Sequence, residues 1–577
     1  MILLNCTYFL EFKKLMLIRI GMKYQAAFFL TISSLGVHAA SVVMPSTGSL
    51  LQEDHPVAPQ EPSSDSTGLA VNKATPLNGN SSVVFFVRKI QISGNKIIPG
   101  NVLHSLVASK EGTSLSLAQL HLLTAKITDY YRSHHYPLAR AVIPEQVIND
   151  GVVNILVIEA HFGQVRTTNQ SRVHDSLIEA TLAPLMNHAV VEQTTLNRSL
   201  LLLQDIPGVT SIQAIMKPGK EVGSSDLQVN MAGAPWVTGN VSVDDYGNAY
   251  TGRFRTDGSV SLVNPWHHGD ELTLNGMTTG SDMNYASASY ETTLNGSGTK
   301  SGVLVSSMHY ILGNTLASLD ANGTAVTTSL WAKHPFLRTQ VTNIYGQIQY
   351  DYMNLQDNID INKTYNHRHV QEWTGTLSGD VRDNWWSGGA VSLWSVSLAS
   401  GHVGFDDAVA QRADASTAKT QNGFTKLDFS ASRQQILDQN NLLNVSLSGQ
   451  WANANLDVSQ QLVAGGPYSV RAYDMGVLTG DSGYLWTVEW RHQLGRLISG
   501  DWQALAFFDS ERLTINRNVW AAGANNATLS GTGVGLNWSG PLHWDAKLYA
   551  AVPIGSTPVQ LHDPSAVRVW MLINKAF

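Results

Sequence analysis

The first 235 residues contain no tryptophan; all fifteen lie at or beyond Trp236. The chain has one cysteine, Cys6, so it holds no intrachain disulfide, which suits an exported chain that must avoid stray pairing. Leu3-Leu4-Asn5-Cys6 only superficially resembles a lipidation box, because no apolar segment precedes it. Charge is sparse, at 14% of residues and net -7, which argues against nucleic acid as a partner. Long apolar runs are missing too. The best, residues 26–37 (AAFFLTISSLGV), is too short for a stable transmembrane helix, so a chain that crosses a membrane must do so with strands. No glycine-rich phosphate loop precedes a helix, and no Cys/His set has zinc spacing. His134-His135 and His267-His268 are adjacent pairs whose side chains diverge on a strand, and no Ser/His/Asp constellation is recognisable. The sequence therefore predicts no catalytic residue, no cofactor and no metal ligand.

The one-sided tryptophan distribution says that the C-terminal part lives in a different solvent from the N-terminal part. Tryptophan concentrates where one end of a side chain is apolar and the other wet, as at a membrane interface. A mean hydropathy of -0.07 is too low for a helical membrane protein, but it is what a barrel with one face in lipid and one in water averages to.

Residues 1–39 read as a signal peptide, with Arg19 and Lys23 before the apolar run and Val37-His38-Ala39 as the cleavage site; Met16 or Met22 are alternative true starts. Residues 40–54 carry a short helical piece, Ser46 to Asp54, and residues 55–82 read as a Pro/Ser/Asn-rich linker. From Val83 a strand runs to Ile92, followed by a short helix opened by Pro99. A second helix has Ser116 and Gln119 at capping-box spacing and Leu120, Leu123, Ile127 and Tyr130 on one face. Strands over 138–143 and 152–159 flank a turn at Asn149-Asp150-Gly151. The same order recurs over 161–232, with Leu196, Leu200 and Leu203 on one side of its second helix, so 83–160 and 161–232 read as two copies of one small α+β domain. Such a sheet leaves an edge open to strand addition by an extended partner.

Beyond Pro235, ten-residue segments alternate apolar and polar. Phe254, Val260 and Leu262 share one parity, and Arg253, Arg255 and Asp257 the other. Val567, Val569, Met571, Ile573 and the final Phe577 share a parity interrupted by Lys575, which resembles the assembly signal of bacterial outer-membrane barrels. Residues 233–577 suffice for a barrel of roughly 14 to 18 strands. High polarity predicts long loops near 356–369, 402–422 and 464–483.

Four further motifs carry a family resemblance. Gly465-Gly466-Pro467-Tyr468-Ser469-Val470-Arg471-Ala472-Tyr473, followed by Gly480-Asp481, resembles the long-loop motif of two-partner secretion transporters. These are the outer-membrane partners of filamentous haemagglutinins and secreted haemolysins, within the Omp85 superfamily. Phe507-Phe508-Asp509 resembles the family's inner-wall motif, Asn264-Pro265 with Gly269-Asp270 its first barrel hairpin, and Ala139 to Gln146 with Asp150-Gly151 the strand-turn-strand of its first POTRA domain. The family has glycine where this chain has Ala472, which adds a methyl group at the loop tip. The resemblance implies a transmembrane antiparallel β-barrel of about 16 strands in the bacterial outer membrane, preceded by two periplasmic POTRA domains, with residues 46–54 as a plug helix. It also implies that Arg471 pairs with Asp509. The parity of Asp509, shared with Gln503 and opposite to Trp502 and Phe508, places it on the lumen side, where the two charges form either a bidentate pair or ordinary solvated lumen charges.

The resemblance implies a transporter that threads an unfolded exoprotein partner outward, of the haemolysin, adhesin or contact-dependent toxin type, working as a monomer in outer-membrane lipid. An Omp85-type assembly factor is the alternative, and a passive porin is disfavoured by the two POTRA-like domains.

Overall fold

The computed structural model describes residues 44–53, 84–386, 388–561 and 565–577. The signal segment 1–39, the linker 55–82 and both ends of the plug region lie outside the described residues. Among the described residues no helix is long and apolar enough to cross a membrane.

Sixteen antiparallel strands close into one barrel, from Val237–Asp244 to Arg568–Ala576. The seam joins these two strands, with Asn240 opposite Ala576 and Asp244 opposite Leu572. The exterior is apolar: Val569, Met571, Ile573 and Phe577 are exposed, whereas Trp570, of opposite parity, is fully buried inside. Most tryptophans are exposed, as the interface argument requires, whereas Trp570 and Trp331 have lumen parity.

Two POTRA domains precede the barrel. In the first, Lys89–Ser93 runs parallel to Val152–Ile158, which pairs antiparallel with Arg140–Val142. In the second, His161–Asn169 runs parallel to Ser224–Gly233, which pairs antiparallel with Val209–Pro218. Each sheet buries one face under two helices, Gly100–Ser105 with Leu117–Ser133 and Asp175–Leu182 with Gln193–Gln204. The capping box at Ser116 and Gln119 is formed, and Asp150 and Gly151 take positive φ in the predicted turn.

Three expectations change. The strand expected from Val83 is two strands, Val84–Val87 and Lys89–Ser93, because the backbone N–H groups of Arg88 and Lys89 both turn to the Gly151 carbonyl. The first piece then pairs with Thr113–Ser116 instead of the main sheet. Tyr131, not Tyr130, completes the buried helix face, and its hydroxyl donates to Glu159 at 2.7 Å. Residues 356–369 are not a long loop: Thr342–Ile359 and Thr364–Asp383 pair almost to their tips across a tight turn at 360–363. Strands of 18 and 20 residues exceed the roughly 9–11 needed to cross a bilayer. Beyond the headgroups both faces meet water, so polarity there marks solvent, not loss of pairing. At 402–422 the loop is real but holds the helix Ala408–Ser416.

The second POTRA domain is bolted to the barrel's periplasmic turns. Arg338, 1% exposed, holds the Asp205 carboxylate through Nε at 2.7 Å and Nη2 at 2.8 Å. Arg198 donates to the Pro335 carbonyl at 2.9 Å, and the His174 N–H to the His267 carbonyl at 2.9 Å. Gly296 and Gly298 in the next turn leave no room for a side chain against Ala180 and Leu202. Asn264-Pro265 and Gly269-Asp270 form the first periplasmic turn: Gly269 N–H donates to Asn264 Oδ1, while Asp270 accepts from the Trp266 and His268 N–H groups.

Candidate loop-to-wall lock in the lumen

The segment 453–481 leaves the barrel's outer end, folds back into the lumen and returns through a small ribbon, Leu462–Ala464 with Leu478–Gly480. Its tip carries the predicted motif. Gly465 and Gly466 have φ of 87° and 105°, which only glycine adopts easily, and the Gly466 N–H donates to the Tyr473 carbonyl to close the turn. Val470, Ala472 and Tyr473 are buried in one apolar cluster with Phe507 and Leu505 of the wall.

Arg471 is surrounded on every side. Its Nε and Nη2 each lie 2.9 Å from the two oxygens of Asp509, which is 0% exposed, and its backbone N–H donates to the same carboxylate at 3.2 Å. Its Nη1 donates to Glu489 at 2.6 Å, and Glu489 in turn accepts from Arg491 at 2.6 Å. The guanidinium carbon sits 3.4 Å from the Phe507 ring centre. The Trp570 Nε1 donates to the Arg471 carbonyl at 2.7 Å. The planar guanidinium fork suits this set of two carboxylates and a ring face, and an ammonium could not reproduce it. The pair is therefore a buried, bidentate contact.

Glu489 and Trp570 were not identified from the sequence, and Ser469 stood in the loop motif without an assigned partner. Tyr484, Trp486 and Trp490 face outward, so the opposite parity places Glu489 and Arg491 in the lumen, a signal that strand alternation contained. Trp570 could have been found the same way, as the one aromatic against the parity of Val569 and Met571. Ser469 donates its hydroxyl to Glu511, a contact that needs the loop's folded course.

The methyl group of Ala472 has its own seat. Gly531 stands opposite Asp509 in the adjacent strand, and a Cβ there would collide with the Ala472 Cβ. One missing methyl in the wall thus accommodates one added methyl in the loop. Gly531→Ala is expected to lower the heat resistance of the folded barrel, Ala472→Gly to be tolerated, and the Ala472→Gly/Gly531→Ala pair to recover most of it. A heat-modifiability gel of all three reads the result; failure of the pair to recover would reject the exchange.

At the outer end the helix Thr47–Glu53 lies inside the lumen, with Leu50 and Leu51 packed against Met308, Leu355 and Leu456. Towards the periplasm the lumen opens into a polar cavity of about 770 Å³, lined by Arg491, Gln503, Asn537, Asp545, Lys547 and Asn574. Among the described residues no cluster suits a metal ion.

A model of haemolysin secretion/activation proteins of the ShlB/FhaC/HecB type matches residues 223–538, more than half of the chain. The chain belongs to this family. The family comprises outer-membrane two-partner secretion transporters, and a ShlB-type POTRA domain matches residues 85–160. The haem/haemopexin transporter protein HuxB of Haemophilus influenzae is 25% identical over 94% of this chain and 98% of its own. Among solved structures, CdiB from Escherichia coli superposes with a TM-score of 0.71 at 20% identity, over 88% of this chain and 94% of that one. CdiB from Acinetobacter baumannii gives 0.62 at 17%, over 90% and 95%. These likenesses support the fold of this ShlB-type transporter, two POTRA domains before a 16-stranded barrel in the outer membrane with its POTRA domains in the periplasm.

Proposed function

We propose that this chain captures an unfolded exoprotein in the periplasm through its POTRA domains, residues 83–160 and 161–232, and passes it outward through the barrel, residues 233–577. The observation that carries this reading is the obstructed but polar lumen: a short helix and a pinned loop fill its outer end above an open, hydrophilic vestibule. A passive pore has no use for either obstruction, and an assembly factor has no use for a helix seated in the lumen. Val209–Pro218 is an edge strand of ten residues, which offers a long edge to an extended partner. The partner is of the haemolysin, adhesin or contact-dependent toxin type, and the similarity to the haem/haemopexin transporter protein HuxB adds a haem- or haemopexin-related cargo as a second candidate. The barrel closes on its own first and last strands, which supports a monomer embedded in outer-membrane lipid. Thirty residues separate Glu53 in the lumen from Val84 in the periplasm. Extended, they reach roughly 100 Å, several times a hydrocarbon core of roughly 30 Å, so the helix can leave the lumen without detaching.

The test is a photo-crosslinker placed at Asn537, which lines the vestibule, with Val534, exposed on the outer wall, as the control. An exoprotein stalled by a disulfide-closed passenger is expected to crosslink at 537 and not at 534. Equal labelling at the two positions, or none at 537, would reject passage through the lumen.

A further inference from the structure

We propose that Arg368 is a positioning residue that fastens the lumenal helix and the inward loop to the barrel wall as one unit, so that release of either loosens the other. It rests on the reading of the helix as a plug.

Arg368 lies on the strand Thr364–Asp383 and is 2% exposed. Its Nη1 donates to Asp357 at 2.7 Å and its Nε to Asp457 at 2.6 Å. The two carboxylates belong to different parts. Asp357, on the neighbouring wall strand, holds the start of the helix: it accepts from the Thr47 N–H at 2.8 Å and the Thr47 hydroxyl at 2.9 Å, and from the Tyr310 hydroxyl at 2.7 Å. Asp457 belongs to the inward loop, where it accepts from the Ser459 N–H at 3.0 Å and the Ser459 hydroxyl at 2.7 Å. Ser459 is also the seat of the helix. Gln52 donates to its carbonyl, and Gly48 packs so tightly on its backbone that no side chain fits there. The contacts close a ring: helix, Asp357, Arg368, Asp457, Ser459, helix.

The hairpin geometry explains how one cation reaches both. Asp357 pairs with Asn366, two residues from Arg368, so the two side chains are diagonal neighbours on the lumen face. The strand pairing that replaced the expected loop at 356–369 is what fixes them there. A guanidinium can serve two separate carboxylates from one plane, whereas an ammonium is a point charge. Without Arg368, two buried carboxylates face each other with no cation between them, which favours separation of the loop from the wall. The helix then loses its Ser459 seat along with the charge that steadies Asp357.

The experiment places Leu50→Cys, at a position 1% exposed, in the full-length chain with Cys6→Ser. Intact cells are treated with a membrane-impermeant maleimide, and heat-modifiable gel mobility verifies that each barrel is folded. Arg368→Met is expected to speed labelling of the introduced thiol by at least about tenfold. Arg368→Lys should fall between, because it keeps one carboxylate and loses the other. Asp457→Asn, altered only in the loop, should also speed labelling, and its combination with Arg368→Met should be no faster than Arg368→Met alone. Unchanged labelling in a folded Arg368→Met barrel overturns the proposal, as does a strictly multiplicative double variant. Faster labelling with normal exoprotein secretion supports the fastening and counts instead against the helix as a gate.

Discussion

Arg471→Ala is expected to abolish exoprotein secretion while the barrel still inserts in the outer membrane. Among the described residues the arginine is the only cation that pairs with Asp509, and it shares Glu489 with Arg491. Removing one partner of a buried pair costs about 3–5 kcal/mol, which shifts the loop equilibrium by about two to four orders of magnitude. Arg471→Lys should fail nearly as badly, since one nitrogen cannot span both Asp509 oxygens and Glu489 while resting on Phe507. Adding Asp509→Asn to Arg471→Ala relieves the stranded charge and should restore heat resistance of the barrel but not secretion. That split separates a positional role of the lock from a purely stabilising one. A culture-supernatant immunoblot beside a heat-modifiability gel measures both, and normal secretion by Arg471→Ala would refute the loop role.

Arg338→Met is expected to cut secretion by at least about tenfold through a different route, the loosening of the second POTRA domain. Asp205 is the C-cap of the helix Gln193–Gln204, where the helix dipole disfavours an anion. Arg338 compensates that anion and is held in turn by Asn343, which also donates to Asp380. A cation removed here leaves the end of a POTRA helix repelled from the barrel rim instead of drawn to it. Limited trypsin digestion should then cut at Arg198, whose contact with the Pro335 carbonyl is loosened, faster than in the parent, with the barrel core unchanged. Asp205→Asn removes the anion as well as the pair and should give the milder defect. Parent-like digestion and secretion in Arg338→Met would show that the remaining turn contacts suffice.

Periodicity made much of this architecture legible. The two POTRA copies followed from helix faces such as Leu196, Leu200 and Leu203, all fully buried, because a small core imposes its spacing directly on the chain. The Arg471–Asp509 pair followed from a motif resemblance together with the parity of Asp509. What escaped were contacts between segments far apart in sequence. Strand parity marks Glu489 and Trp570 as lumenal, but their partnership with Arg471 exists only once the loop tip has been folded against the wall strands. Asp357 and Arg368 were hidden by a wrong inference from polarity. In the extracellular extension of a barrel, hydrophilic residues stand on both faces, so alternation fades while the hydrogen-bond ladder continues.

The seam between Val237–Asp244 and Arg568–Ala576 has a consequence for biogenesis. Its partners are more than three hundred residues apart, so no early part of the chain can satisfy the edge of the first barrel strand. Until the last strand arrives, the nascent sheet presents two open rims of unpaired amides to any neighbour. Contacts of such long sequence separation also form slowly. Until the seam pairs, any sheet already formed keeps both rims open, so the yield in the cell is expected to depend on whatever chaperones shield them.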